Sequence, residues 1–206
     1  MPNGKYKVPP DWYDKAVVSF NIFHRFWHLK RMKVLANLLS RFDGLILDVG
    51  CDGGTISDIF KQDDVWIVGI DIDVDAIRYA SVKRRCYAWV LADAHYLPFK
   101  KESFDVVLCI EVLEHCYSPR NVMEEIERVS RSEVLVLIPN SASRLFRIIW
   151  GIWLKLKGRV WIGSHLHEFN NVIAERLFSS CGFKVLLLKK TLLGMLLVYK
   201  LKKYLK

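Results

Sequence analysis

The stretch 47–55, LDVGCDGGT, sets Gly50, Gly53 and Gly54 between an apolar run and a helix-forming one. Glycines at such a junction let the backbone pass close to a ligand. Asp48 precedes the first glycine by two residues, and a carboxylate there repels a pyrophosphate but suits an ammonium group. Asp52 stands where the dinucleotide fingerprint G-x-G-x-x-G needs its second glycine, and no Gly-Lys-Ser/Thr follows to make a phosphate-cradling loop. Asp71, in VGIDID, can accept both hydroxyls of a ribose. Asp93, in LADA, can accept from the amino group of an adenine. If all three acids lie at successive strand tips they face one crevice, and together they fit a nucleoside with a cationic amino-acid tail.

A second set follows downstream. Glu111, Glu114 and His115 share EVLEH, and His115, with its near-neutral ordinary pKa, can act as general base toward a hydroxyl or enol. The competing reading has Glu114 and His115 capping or pairing inside a loop–helix junction. His165, His167 and Glu168 form H-x-H-E. A metal needs at least three ligands and no further one is evident in the sequence, so no metal is expected; Glu168, with Asn170 and Asn171, is expected to cap the helix that follows. The five cysteines are odd in number and include no C-x-x-C pair, so neither a zinc module nor a closed disulfide framework follows from them. Cys109 and Cys116 read as small buried side chains.

The elements that must position these groups alternate regularly. Apolar strands are expected at 45–49, 65–70, 88–92, 104–110 and 134–138, with helices at 55–62, 74–83 and 121–129 between them. That rhythm predicts a parallel sheet covered on both faces, an α/β doubly wound fold. Two further strands, 183–190 and 196–199, are separated by too few residues for a crossover, so an antiparallel C-terminal hairpin is expected. Before it come helices at 141–156 and 172–181, the latter closed by Gly182. Residues 11–41 read as an aromatic N-terminal helical extension with a break near Asn21. One domain is expected, divided into a cap (1–41), a ligand-binding core (42–140) and a substrate side (141–206), and the 52% hydrophobic content suffices for a single core.

On these residues the chain resembles the class I S-adenosylmethionine-dependent methyltransferases of small-molecule type, which have a mostly parallel seven-stranded, Rossmann-like sheet ending in an antiparallel hairpin. Asp48, Gly50 and Gly54 match that family's D-x-G-x-G-x-G motif, with Asp52 replacing the middle glycine. The resemblance implies S-adenosylmethionine as cofactor. It assigns the methionyl part to Asp48, Gly50, Cys51, Asp52 and Gly54, the ribose to Asp71 with Ile72, and the adenine to Asp93 with Ala94. Cys109 to Glu111 would lie along the methionyl carboxylate and sulfonium. It also implies that the N-terminal extension borders the substrate, bringing in Tyr13 beside Glu114, and that the segment after the fifth strand supplies His165 and His167.

The net charge of +9 divides unevenly: +6 over 1–41, −8 over 42–140 and +11 over 141–206. On a helical wheel Arg144, Arg147, Gly151 and Lys155 form one stripe of 143–156, and apolar residues including Trp150 and Trp153 cover the rest. Such a helix suits a lid, a membrane surface, a dimer contact or burial in its own domain. Lys30, Arg31 and Lys33 add a basic face to the N-terminal helix, and KLKKYLK closes the chain as a solvated tail. A small-molecule or lipid-like acceptor is expected. RNA methylation, or a non-catalytic adaptor for membrane or nucleic acid, are the alternatives. No apolar run approaches 18 residues and the start lacks a signal-peptide stretch, so a cytoplasmic protein with reduced thiols is expected.

Overall fold

The structure, a computed structural model, describes residues 9–18, 22–39, 44–60, 65–84, 88–156 and 163–204. Seven strands form one sheet in the order β3-β2-β1-β4-β5-β7-β6. These are β1 (Gly44–Val49), β2 (Val65–Asp71), β3 (Ala88–Leu91), β4 (Phe104–Ile110), β5 (Ser130–Pro139), β6 (Phe183–Thr191) and β7 (Leu196–Lys203). The first five are parallel, whereas β7 runs antiparallel to both of its neighbours. The helices are α1 (Trp12–Val17), α2 (Ile22–Leu39), α3 (Val74–Lys83), α4 (Pro119–Val129), α5 (Arg144–Leu156) and α6 (Asn171–Ser180).

Side chains alternate across each strand, so an apolar strand in mid-sheet feeds two cores. Val107 and Cys109 of β4 join the layer under α4 and α6, where Ile126 and Phe178 are fully buried. Val106, Leu108 and Ile110 point the other way, to Leu35 of α2 and Phe146 of α5. This double covering leaves the carboxyl ends of β1, β2, β3 and β4 as the open edge, and the chemistry-bearing residues sit there.

Several boundaries depart from expectation. The helix expected at 55–62 is a short 3-10 turn, Ser57–Phe60, with 61–64 outside the described residues. There the Ser57 hydroxyl donates to the Asp48 carboxylate (2.5 Å), tying the turn to the end of β1. β5 starts four residues early because Ser130 already pairs with Phe104. Of the three residues expected to cap α6, Asn170 does so, accepting from the Ile173 amide (3.0 Å). The basic ending is no loose tail: β7 continues to Lys203, which bonds Glu127 (3.2 Å) and Glu102 (3.3 Å), while Lys200 bonds Glu133 (3.0 Å). Charge from the basic flank thus neutralises part of the acidic middle.

Gly69 of β2 carries a close approach. A Cβ there would lie 2.3 Å from the Trp89 ring and 2.9 Å from Cys51 Sγ. Gly69→Ala should therefore lose about 1–3 kcal/mol through overpacking, read from the denaturant midpoint. A Cβ on Gly151, inside α5, meets nothing within 4 Å, so Gly151→Ala should gain about 0.5–1 kcal/mol.

Candidate active site

The turn after β1 folds back on β2, with the amides of Gly50 and Cys51 both donating to Ile70 O (2.8 and 2.9 Å). Gly50 is left-handed (φ +71°), and a Cβ on it would strike Val112 at 2.5 Å. Asp52 is also left-handed (φ +48°), a conformation Asp tolerates better than most side chains. The departure from the glycine motif therefore keeps the turn's shape, and the Asp52 amide donates to Asp71 Oδ2 (2.9 Å). Gly54 (φ +76°) faces Trp89 and does not line the crevice, so its role is to pack the turn.

A cavity of about 190 Å³ opens at the strand tips. Asp48, Gly50, Cys51, Asp52, Asp71, Ile72, Asp93, Ala94 and Glu111 all line it, as the sequence reading expects. Cys109 does not: strand alternation turns it into the core, fully buried, and Ile110 takes its place on the wall. Burial pushes the Asp48 carboxyl up to about 7; the Ser57 bond opposes this and Asp71 adds to it. Burial, with the neighbouring Asp71 charge, lifts Asp52 to about 8. Burial also raises Asp71, against the amides of Asp73 and Asp52. Burial acts on Asp93 in the same sense, but the amide and ring of His95 outweigh it and hold that carboxyl below its ordinary value.

Sequence reasoning missed His95. Its ring bonds Asp93 Oδ1 (2.6 Å) and stacks on Tyr117 (centroids 3.6 Å apart), and Nε2 accepts from the Ser118 amide (3.3 Å). The only available cue was the H two residues after Asp93.

A second cavity, of about 410 Å³, lies beside the first and shares Tyr13, Glu111 and His115 with it. Trp12, Trp27, Phe146, Ile149, Trp150 and Trp153 give it apolar walls; His28, Arg31, Glu114 and His165 supply polar groups. Trp150 and Trp153 therefore face inward; among the described side chains of α5, Ile148 is exposed and Ile152, also exposed, stands at the cavity's rim. His167 is absent from both cavities; its amide donates to Glu114 O (3.2 Å) and its ring leans toward Phe169.

Glu111 has a left-handed backbone (φ +56°), and its carboxylate pairs with the buried Arg31 guanidinium. Arg31, one of the basic residues of the N-terminal helix, is internal, with its guanidinium 4.8 Å from the Tyr13 ring centroid. Burial drives Glu114 well above the ordinary carboxyl range, reinforced by the Glu111 charge. Burial lowers His115, and burial with His115 nearby lowers His165 to about 4. His115 Nδ1 donates to Ser164 O (2.8 Å), which leaves Nε2 as the ring's acceptor.

The N-terminal helices roof both cavities through a second anchor. Asp14 of α1 accepts from Thr55 (2.8 Å), Tyr79 (2.7 Å) and Arg84 (2.6 Å). Gly53 lies so close under Pro10 that a Cβ would sit 2.0 Å from its carbonyl oxygen.

Residues 47–138 match a family model described as a methyltransferase domain. An uncharacterised protein of Methanocaldococcus jannaschii is 33% identical over 112 residues, 52% of this chain and 47% of that protein. The ubiquinone biosynthesis O-methyltransferase of Glaesserella parasuis is 26% identical over 137 residues, 59% of this chain and 58% of the relative. The chain thus spans about half the length of the curated relatives it matches. In fold it is similar to the magnesium protoporphyrin IX methyltransferase of Synechocystis, solved with bound SAH (TM-score 0.71, 14% identity, 90% of this chain and 89% of that one).

The raised carboxyls have a consequence for stability. Their folded values exceed the unfolded value of about 4, so between those limits the folded state holds more protons and stability falls as pH rises. Denaturant unfolding of the ligand-free protein should show this loss up to about pH 8. Asp52→Asn, isosteric and tolerant of the same backbone, should flatten the slope and stabilise the protein at pH 8.

Proposed function

We propose that this chain, whose residues 47–138 form a methyltransferase domain of the class I S-adenosylmethionine-dependent type, moves the methyl group of that cofactor to an oxygen of a small, largely apolar acceptor. The observation that carries the reading is the junction of the two cavities at Tyr13, Glu111 and His115. One cavity collects carboxylates and the other apolar rings, so a cationic nucleoside and an apolar acceptor would meet at these three side chains.

The residues of the first cavity fit the cofactor. Asp48, Asp52 and Asp71 crowd together with carboxyls pushed upward, an arrangement that a positively charged ligand relieves. Asp71 would take the ribose hydroxyls, Asp93 the adenine amino group, and the turn at Gly50–Asp52 the methionyl part. When bound, S-adenosylmethionine supplies a methyl on a sulfonium that already leaves readily, so the chain's work is to align, to exclude water and to handle a proton. The acceptor oxygen gives its lone pair to the new O–C bond, the S–C pair stays on sulfur, and the hydroxyl proton departs. His115, at the junction, would take that proton at Nε2, and α1, α2 and α5 wall the acceptor cavity.

An oxygen acceptor accords with the O-methyltransferase named among the relatives, and a lipid-like one with the apolar walls. Nucleic acid is less supported, because Arg31, Lys200 and Lys203 of the basic flanks are held in ion pairs. A membrane-borne acceptor is a second reading, favoured by the exposed Ile148 and Ile152 of α5 and Phe26 and Leu29 of α2. No helix among the described residues is long and apolar enough to cross a membrane.

Calorimetry of the purified chain should show one site for S-adenosylmethionine. Asp71→Asn should weaken it about 10- to 100-fold, the range for hydrogen bonds to a charged group; absence of binding would overturn the assignment. For the second reading, Ile148→Asp with Ile152→Asp should abolish co-sedimentation with anionic vesicles and leave cofactor affinity unchanged. Unchanged sedimentation would remove membrane contact through α5.

A further inference from the structure

We propose that Glu114, His115 and His165 form a divalent-cation site of the zinc type in the acceptor cavity. One ligand-capable atom from each of these three side chains lies within 4.8 Å of the other two. Drawing them together by about 1 Å reaches the spacing of tetrahedral zinc ligands, which sit about 2.0–2.2 Å from the metal. Two imidazoles and one carboxylate make a donor set used by catalytic zinc, with one position left for another ligand.

Independent features of the site point to a cation. Glu114 is 1% exposed, and its Oε2 has no hydrogen-bond partner among the described residues. A buried carboxylate oxygen without a donor is costly, more so with the Glu111 carboxylate nearby, and a bound cation removes that cost. The His115 ring is held as metal-bound imidazoles commonly are: its Nδ1–H donates to Ser164 O (2.8 Å), which fixes the ring's orientation and tautomer. The His165 ring lies flat on Trp150 (centroids 4.8 Å apart, 12° between planes) and 5.0 Å from the His115 ring. Tyr13, Glu111 and His115 connect this point to the cofactor cavity.

The use of the ion rests on the methyl-transfer reading. An acceptor hydroxyl would occupy the open position, where the cation lowers its pKa and its proton passes to solvent water. The resulting oxygen is held next to the methyl donor. His115 is then a metal ligand, and the acceptor class narrows to molecules presenting an oxygen that can bind a metal.

The test uses the full chain, stripped with a chelator and titrated with Co²⁺ by visible absorption and with Zn²⁺ by calorimetry. One equivalent is expected, with Co²⁺ bands of a low-coordinate site. His165→Ala and Glu114→Gln should each weaken binding at least about tenfold, while His167→Ala, outside both cavities, leaves it unchanged. Circular dichroism and melting check that each variant is folded; should Glu114→Gln fail, His165→Ala decides. No binding by the wild type, or binding indifferent to His165→Ala, overturns the proposal. S-adenosylmethionine calorimetry on the same samples separates the two readings: metal bound without the cofactor keeps the site and overturns methyl transfer, and the cofactor bound without metal does the reverse.

Discussion

Seven acidic residues, Asp48, Asp52, Asp71, Asp73, Asp93, Glu111 and Glu114, line two adjoining cavities at one end of the sheet. Packing like charges in a poorly solvated crevice is unfavourable, and the surrounding structure can be understood as the means of tolerating it. Some acids are met by donors at hand: Ser57 for Asp48, backbone amides for Asp71, His95 for Asp93 and Arg31 for Glu111. Others keep an unmet demand, seen in the raised carboxyls of Asp52 and Glu114. A positively charged ligand would relieve that strain by favouring the ionised carboxylates.

The same constraint explains the roof. Arg31 reaches from α2 to Glu111, and Asp14 reaches from α1 to Thr55, Tyr79 and Arg84. One anchor brings a cation to the acidic edge, and the other takes an acid to a cation beyond it. Both tie the N-terminal helices down over the cavities, so charge compensation and closure are achieved by the same contacts. A buried ion pair contributes little net stability against an apolar alternative. Its consequence here is positional, because it fixes where the two cavities meet.

Much of the fold was legible because its determinants are local. Strand alternation and a glycine turn need only neighbouring residues, and β4 and α3 agree with their expected limits to the residue. The crevice acids were legible for the same reason, since the position after a strand in an α/β unit is set by the unit itself. Less local features were misread. The resemblance puts Cys109 along the wall, whereas its strand phase turns it inward, in keeping with its other reading as a small buried side chain; of His165 and His167, only His165 lines a cavity. Trp150 and Trp153 were spread over a wheel whose inward face the helix sequence alone does not reveal.

By itself the sequence determined the parallel sheet, its terminal hairpin and the acids that converge at the strand tips, because these follow from short-range periodicity and turn chemistry. Only the tertiary structure decided which basic residues stay free. Arg31, Lys200 and Lys203 are drawn inward to partners far along the chain. It alone joined His165 to Glu114 and His115, about fifty positions apart, because α4, β5 and α5 lie between them and residues 164–167 sit against the end of β4. Such a meeting depends on how helices cross the sheet, and no local pattern encodes that.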